Sequence, residues 1–60
     1  MQLRIKFVTD EGKESGVCHI FKLVGNEQIK IGEINFSDES DKKWIVRTMV
    51  KDHPNVSVIP

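Results

Sequence analysis

Sixty residues hold one small domain, at about 100–200 residues per domain, with a radius of gyration of about 10 Å and no room for a deep cleft. A composition of 38% hydrophobic and 30% charged residues belongs to a folded chain rather than a disordered one. Nine basic side chains balance nine acidic ones, which argues against a polycationic nucleic-acid coat and against an acidic DNA mimic.

The segment Leu3 to Val8 reads as a strand. Leu3, Ile5 and Phe7 share one face, and Gln2, Arg4 and Lys6 share the other. The same alternation leaves no continuous apolar run for a signal peptide or a membrane span. A polar turn follows at Thr9-Asp10-Glu11-Gly12-Lys13. Val17 to Val24 is a second strand, apolar on both faces: Val17, His19, Phe21 and Leu23 on one, Cys18, Ile20, Lys22 and Val24 on the other. Gly25-Asn26 then reads as a hairpin loop.

The third strand is expected over Gln28 to Phe36. Its apolar phase changes from odd positions (Ile29, Ile31) to even ones (Ile34, Phe36) across Gly32, which implies either a β-bulge there or an end to the strand. Ser37-Asp38-Glu39-Ser40-Asp41 opens a helix, with Ser37 as the cap and acids complementing the positive helix end. Ile45, Val46, Met49 and Val50 form its apolar stripe, and Pro54 stops it at about His53. Asn55 to Ile59 is a short fourth strand. The order β-β-β-α-β specifies an α+β fold over residues 1–60: a mostly antiparallel sheet with one helix on one face.

Chemistry has few footholds. Cys18 and His19 are neighbours, but adjacent strand residues point to opposite faces, so they cannot act as nucleophile and base. No phosphate loop, nucleophile elbow or zinc-protease motif occurs, and no enzyme activity or cofactor is expected. One Cys and two His, with His53 at the helix end, fall short of a metal site. Asp38, Glu39 and Asp41 lack the spacing of a calcium loop. A lone Cys18 also cannot staple the domain, which favours a reducing, cytoplasmic setting and makes the two Asn-x-Ser sequons chance matches.

Two anomalies point to binding. Trp44 lies about 100° from Ile45 on the helical wheel, off the apolar stripe, beside a basic line of Lys43, Arg47 and Lys51. Trp and Arg anchor many protein interfaces, and an indole beside cations also suits nucleotide bases. The second anomaly is the two-faced strand. With the helix over Leu3, Ile5, Phe7, Phe21, Leu23, Ile29 and Ile31, an open patch of Cys18, Ile20 and Val24 would remain, joined by Val8, Ile34 and Phe36.

The sequence therefore reads as a non-enzymatic protein-binding module. Its partner surface is expected at Trp44, Lys43, Arg47, Lys51, Ile20, Val24 and Cys18. The expected partner is a host protein, which a phage or mobile-element accessory protein would inhibit by occlusion; a homodimer is the related option. A small nucleic-acid binder using Trp44 and the basic helix face is the weaker alternative, and a structural subunit is the third. No membrane partner is expected.

Overall fold

A computed structural model describes residues 2–59. The elements are β1 (Gln2–Thr9), β2 (Gly16–Val24), β3 (Glu27–Phe36), α1 (Glu39–Asp52) and β4 (Ser57–Ile59). They form a single four-stranded sheet in the order β3-β2-β1-β4 with the helix on one face. Two antiparallel hairpins join the first three strands, and β4 adds in parallel to β1, so the sheet is mixed and mostly antiparallel, as the sequence predicts. Two layers give a slab of 36 × 22 × 15 Å.

Local chemistry sets each junction. Gly25 supplies a φ of 58° at the first position of the two-residue β2–β3 turn, the placement favoured where a hairpin twists tightly. In the β1–β2 loop Gly12 sits at φ 72°, and Asp10 N–H donates to the Ser15 carbonyl at 2.8 Å. The helix is capped by Asp38, not Ser37: the Asp38 carboxylate accepts from Asp41 N–H at 3.0 Å. Asp41 in turn accepts from Ser37 N–H at 2.8 Å, so two free donors are satisfied reciprocally. At the other end His53 N–H still reaches the Met49 carbonyl at 2.8 Å before Pro54 turns the chain into β4.

The bulge in β3 exists. Ile20 pairs with Gly32 and Phe21 with Lys30, which leaves Ile31 as the extra residue. One inserted residue explains the phase change: Ile29 and Ile34 both keep to the helix-bearing face although one is odd and the other even.

The face of β2 is the reverse of the expected one. In the β1–β2 ladder Phe7 lies opposite Cys18 and Ile5 opposite Ile20, and residues opposite one another share a face. Cys18 is therefore in the core at 0% exposure, and Ile20 and Ile34 pack against it. Phe36, at 2%, is also core rather than open surface. Val17, Phe21 and Leu23 stand on the uncovered side instead.

Gly16 fixes that register. A Cβ there would lie 2.1 Å from the Val8 carbonyl oxygen and 2.7 Å from Phe36 Cζ. The Phe36 ring uses this gap and meets Phe7 edge-on, with centroids 5.6 Å apart.

On the helix Ile45 is buried and Val46 and Met49 pack on the core, but Val50 is 42% exposed. Val50 lies about 140° from Ile45, beyond the width of the sheet contact. Lys42 takes its place: its ammonium sits 5.2 Å from the Phe7 ring centroid and 5.7 Å from that of Phe36. No helix of the described residues is long and apolar enough to cross a membrane.

Candidate partner-binding surfaces

The first surface is the outer face of α1. At 100° per residue, Lys43, Arg47 and Lys51 fall at about 160°, 200° and 240° from buried Ile45, with Trp44 at about 260°. Glu39, Asp41 and Asp52 all lie outside that sector. Trp44 is 58% exposed. Lys43, Arg47 and Lys51 take part in no ion pair among the described residues, whereas Lys42 is held by Glu39 at 3.4 Å. The ridge is thus a stripe of three cations that form no ion pair among the described residues, with a large apolar ring along one side.

Beside the ridge an open groove of about 540 Å³ runs between the first half of α1 and the β1–β4 side of the sheet. Phe7, Val46 and Val58 line it with apolar surface, and Lys42, Lys43 and Arg47 supply positive charge opposed by Glu39. Two of the predicted partner residues, Lys43 and Arg47, are therefore shared between ridge and groove. Trp44 lies on the other flank and does not line it.

The second surface is the uncovered sheet face. The strand register lays it out in rows. Val8, Val17 and Asn35 form one; Ile59, Lys6, His19 and Glu33 form the next; Ser57, Arg4, Phe21 and Lys30 follow; Gln2, Leu23 and Gln28 complete the face. His19 and Phe21 stand one pleat repeat apart at its centre, with ring centroids 6.3 Å apart. Glu33 is engaged by Lys30 at 3.0 Å and lies 3.6 Å from His19 Nδ1. The Lys30 hydrogen bond and charge, aided by His19, hold the Glu33 carboxyl below its usual range. Arg4 reaches over the face to Gln28, with Nη1 donating to Oε1 at 3.0 Å, and its buried Nε–H has no acceptor.

Of the remaining predicted partner residues, Cys18 and Ile20 are not on this surface, for the reason given by the register. Val24 is exposed at the β2–β3 hairpin but shares the helix-bearing side. Burial pushes the Cys18 thiol up, away from the reactive thiolate, and His19 lies across the sheet from it. Among the described residues no three His, Cys, Asp or Glu side chains converge.

The neutral total also conceals a separation of charge. The β1–β2 loop and the β3–α1 junction lie at one end, because Thr9 pairs with Gly16 and Gly16 with Phe36. Asp10, Glu11, Glu14, Asp38, Glu39 and Asp41 gather there, six of the nine acids. The sheet face and the helix ridge are left basic.

No family model, characterised protein or solved structure matches this chain. Its surfaces must be interpreted from their own chemistry. The sequence pattern finds the ridge, since i, i+4, i+8 spacing is visible without coordinates. It misses the central pair His19 and Phe21, whose face depends on the parity of a loop. It also misses Lys42, although a Lys about 60° from Ile45 on the wheel is a signal that its stem covers apolar rings.

Proposed function

We propose that this chain is a non-enzymatic protein-binding domain that docks the outer face of α1 onto an acidic surface of a partner protein and acts by covering it. The observation that carries this reading is Trp44: an indole left 58% exposed on a ridge with three unpaired cations and no acid in the same sector. Keeping so large an apolar ring in water forgoes about 1.5–3 kcal/mol of burial that a small core could use, which fits a ring reserved for an interface. The ridge would steer an acidic partner, and Trp44 and Arg47 would anchor it.

The test is affinity capture of tagged protein from a nuclease-treated bacterial lysate, with Trp44→Ala and a Lys43→Glu/Arg47→Glu/Lys51→Glu variant run beside it. One protein retained near stoichiometry by the parent and lost by both variants is the expected result. Loss of a hot-spot Trp costs about 2 kcal/mol or more, a roughly thirty-fold weaker complex. Capture that survives both variants would overturn the assignment to α1.

A further inference from the structure

We infer that the uncovered sheet face is a platform for single-stranded nucleic acid, with Phe21 and His19 as stacking rings and Arg4 and Lys6 as phosphate contacts. The site is independent of the α1 ridge, because the helix covers the opposite face of the sheet.

The register carries the inference. Each ring has a cation directly opposite on β1: Arg4 faces Phe21 and Lys6 faces His19. Lys30 flanks Phe21 from β3. Ring and cation thus repeat together along the strands, which is the alternation of base and phosphate along a nucleotide chain. Single strands are bound by this combination of stacking rings and a positive track, with little regard to sequence.

Spacing selects the form of ligand. The rings stand 6.3 Å apart, about twice the 3.4 Å rise of a stacked strand. Bases seated on both rings must therefore be parted from one another, the splayed state in which single strands present their faces. A duplex keeps those faces hidden and offers phosphates alone. One further feature fits an anion: the Arg4 guanidinium holds only a neutral amide partner, Gln28 Oε1. Glu33 is the one acid in the central rows, and its ion pair with Lys30 leaves Arg4 and Lys6 as the cations of this face without an acidic partner among the described residues.

Charge also argues against a second copy as the occupant. A two-fold pairing would set a face with three cations and one acid against its own copy, a net like-charge contact. The segregation of six acids at the far end of the slab removes the objection that a neutral chain has no field for nucleic acid.

The experiment is fluorescence anisotropy of a dye-labelled twelve-residue oligothymidylate titrated with the intact protein. Two phosphate contacts, Arg4 and Lys6, predict a log–log salt slope of about −1.4, so affinity falls roughly seven-fold between 50 and 200 mM salt. Phe21→Ala and His19→Ala should each weaken binding by about 5- to 100-fold, and Phe21→Tyr should retain it. Arg4→Glu and Lys6→Glu should lower both affinity and slope, while Trp44→Ala leaves the curve unchanged. Far-UV circular dichroism confirms that each variant is folded. Equal affinity for a duplex of the same length would overturn the inference. So would a salt-insensitive curve, loss of binding in the α1 variants alone, or self-association that Phe21→Ala abolishes. An acidic protein held on this face at Phe21 in place of the oligonucleotide would do the same.

Discussion

Gly16→Ala is the sharpest test of the register. Adding a methyl group to a strand glycine ordinarily helps by about 0.5–1 kcal/mol, because the unfolded chain loses freedom. Here the new Cβ would stand 2.1 Å from the Val8 carbonyl oxygen, 2.7 Å from Phe36 Cζ and 2.8 Å from Thr9 Cα. Two of those three atoms are backbone, so no rotamer change relieves the clash. Either the β1–β2 ladder opens by over an ångström at Thr9–Gly16, or Phe36 leaves its place against Phe7. Overpacking of this kind costs about 1–3 kcal/mol, against a total stability of about 3–9 kcal/mol for a chain of this length. With a urea m-value of about 1 kcal/mol/M, the midpoint should fall by about 1–3 M in a circular-dichroism titration. Gly32→Ala is the internal control. Nothing lies within 4 Å of its Cβ and its φ is not positive, so it should be neutral or stabilising by about 0.5 kcal/mol. A Gly16→Ala protein as stable as its parent would refute the close approach and, with it, the face assigned to every residue of β2.

Three further outcomes follow from the same packing. Ile20→Glu should cost about 2–4 kcal/mol because it drives a charge toward the core, whereas Phe21→Glu should stay within about 1 kcal/mol; thermal melts compare them directly. Asp38→Ala should cost about 1 kcal/mol in urea titration and Ser37→Ala less than about 0.5, since Asp38 holds the helix N-terminus. The raised Cys18 thiol makes stability fall at alkaline pH. The unfolded chain releases this proton near the ordinary value of 9.0 while the folded chain keeps it, so the stabilisation is complete below that value and is lost as pH rises through it toward the folded one. Cys18→Ala should be the less stable protein at neutral pH, and the gap to the parent should narrow as the pH rises past 9.0; parallel curves would contradict the burial of the thiol.

Much of the fold was legible because several local signals agreed. The alternation of Leu3, Ile5 and Phe7 fixed the face of β1 and Pro54 fixed the helix end, while the phase change across Gly32 left a bulge or a strand end, between which the register decides for the bulge. The face of β2 was not legible, because both of its sides are apolar and the deciding fact is non-local. That fact is a glycine with room for nothing but hydrogen between Val8 and Phe36. The same ambiguity misplaced part of the candidate surface: Cys18 and Ile20 are expected in the open and lie under the helix, while Phe21 is expected under the helix and lies half-buried on the uncovered face. Helical spacing alone puts Lys43, Arg47 and Lys51 in line on α1. The cap differed by one residue, as Ser37 and Asp38 are both good caps and only the geometry of Asp41 chooses between them.

The pairing of β1 with β4 has a consequence for the order of assembly. Arg4 is matched with Ser57 across almost the whole chain, while the two hairpins close over loops of a few residues. The hairpins can zip within microseconds of synthesis, but β1 keeps one bare edge until the helix has formed and β4 has left the ribosome. Closing that edge is the slow, long-loop step, and the stretch around Ile5 would be open to strand pairing with other chains until then. Conditions that slow the last strand should therefore raise the yield of aggregate without altering the stability of the finished fold.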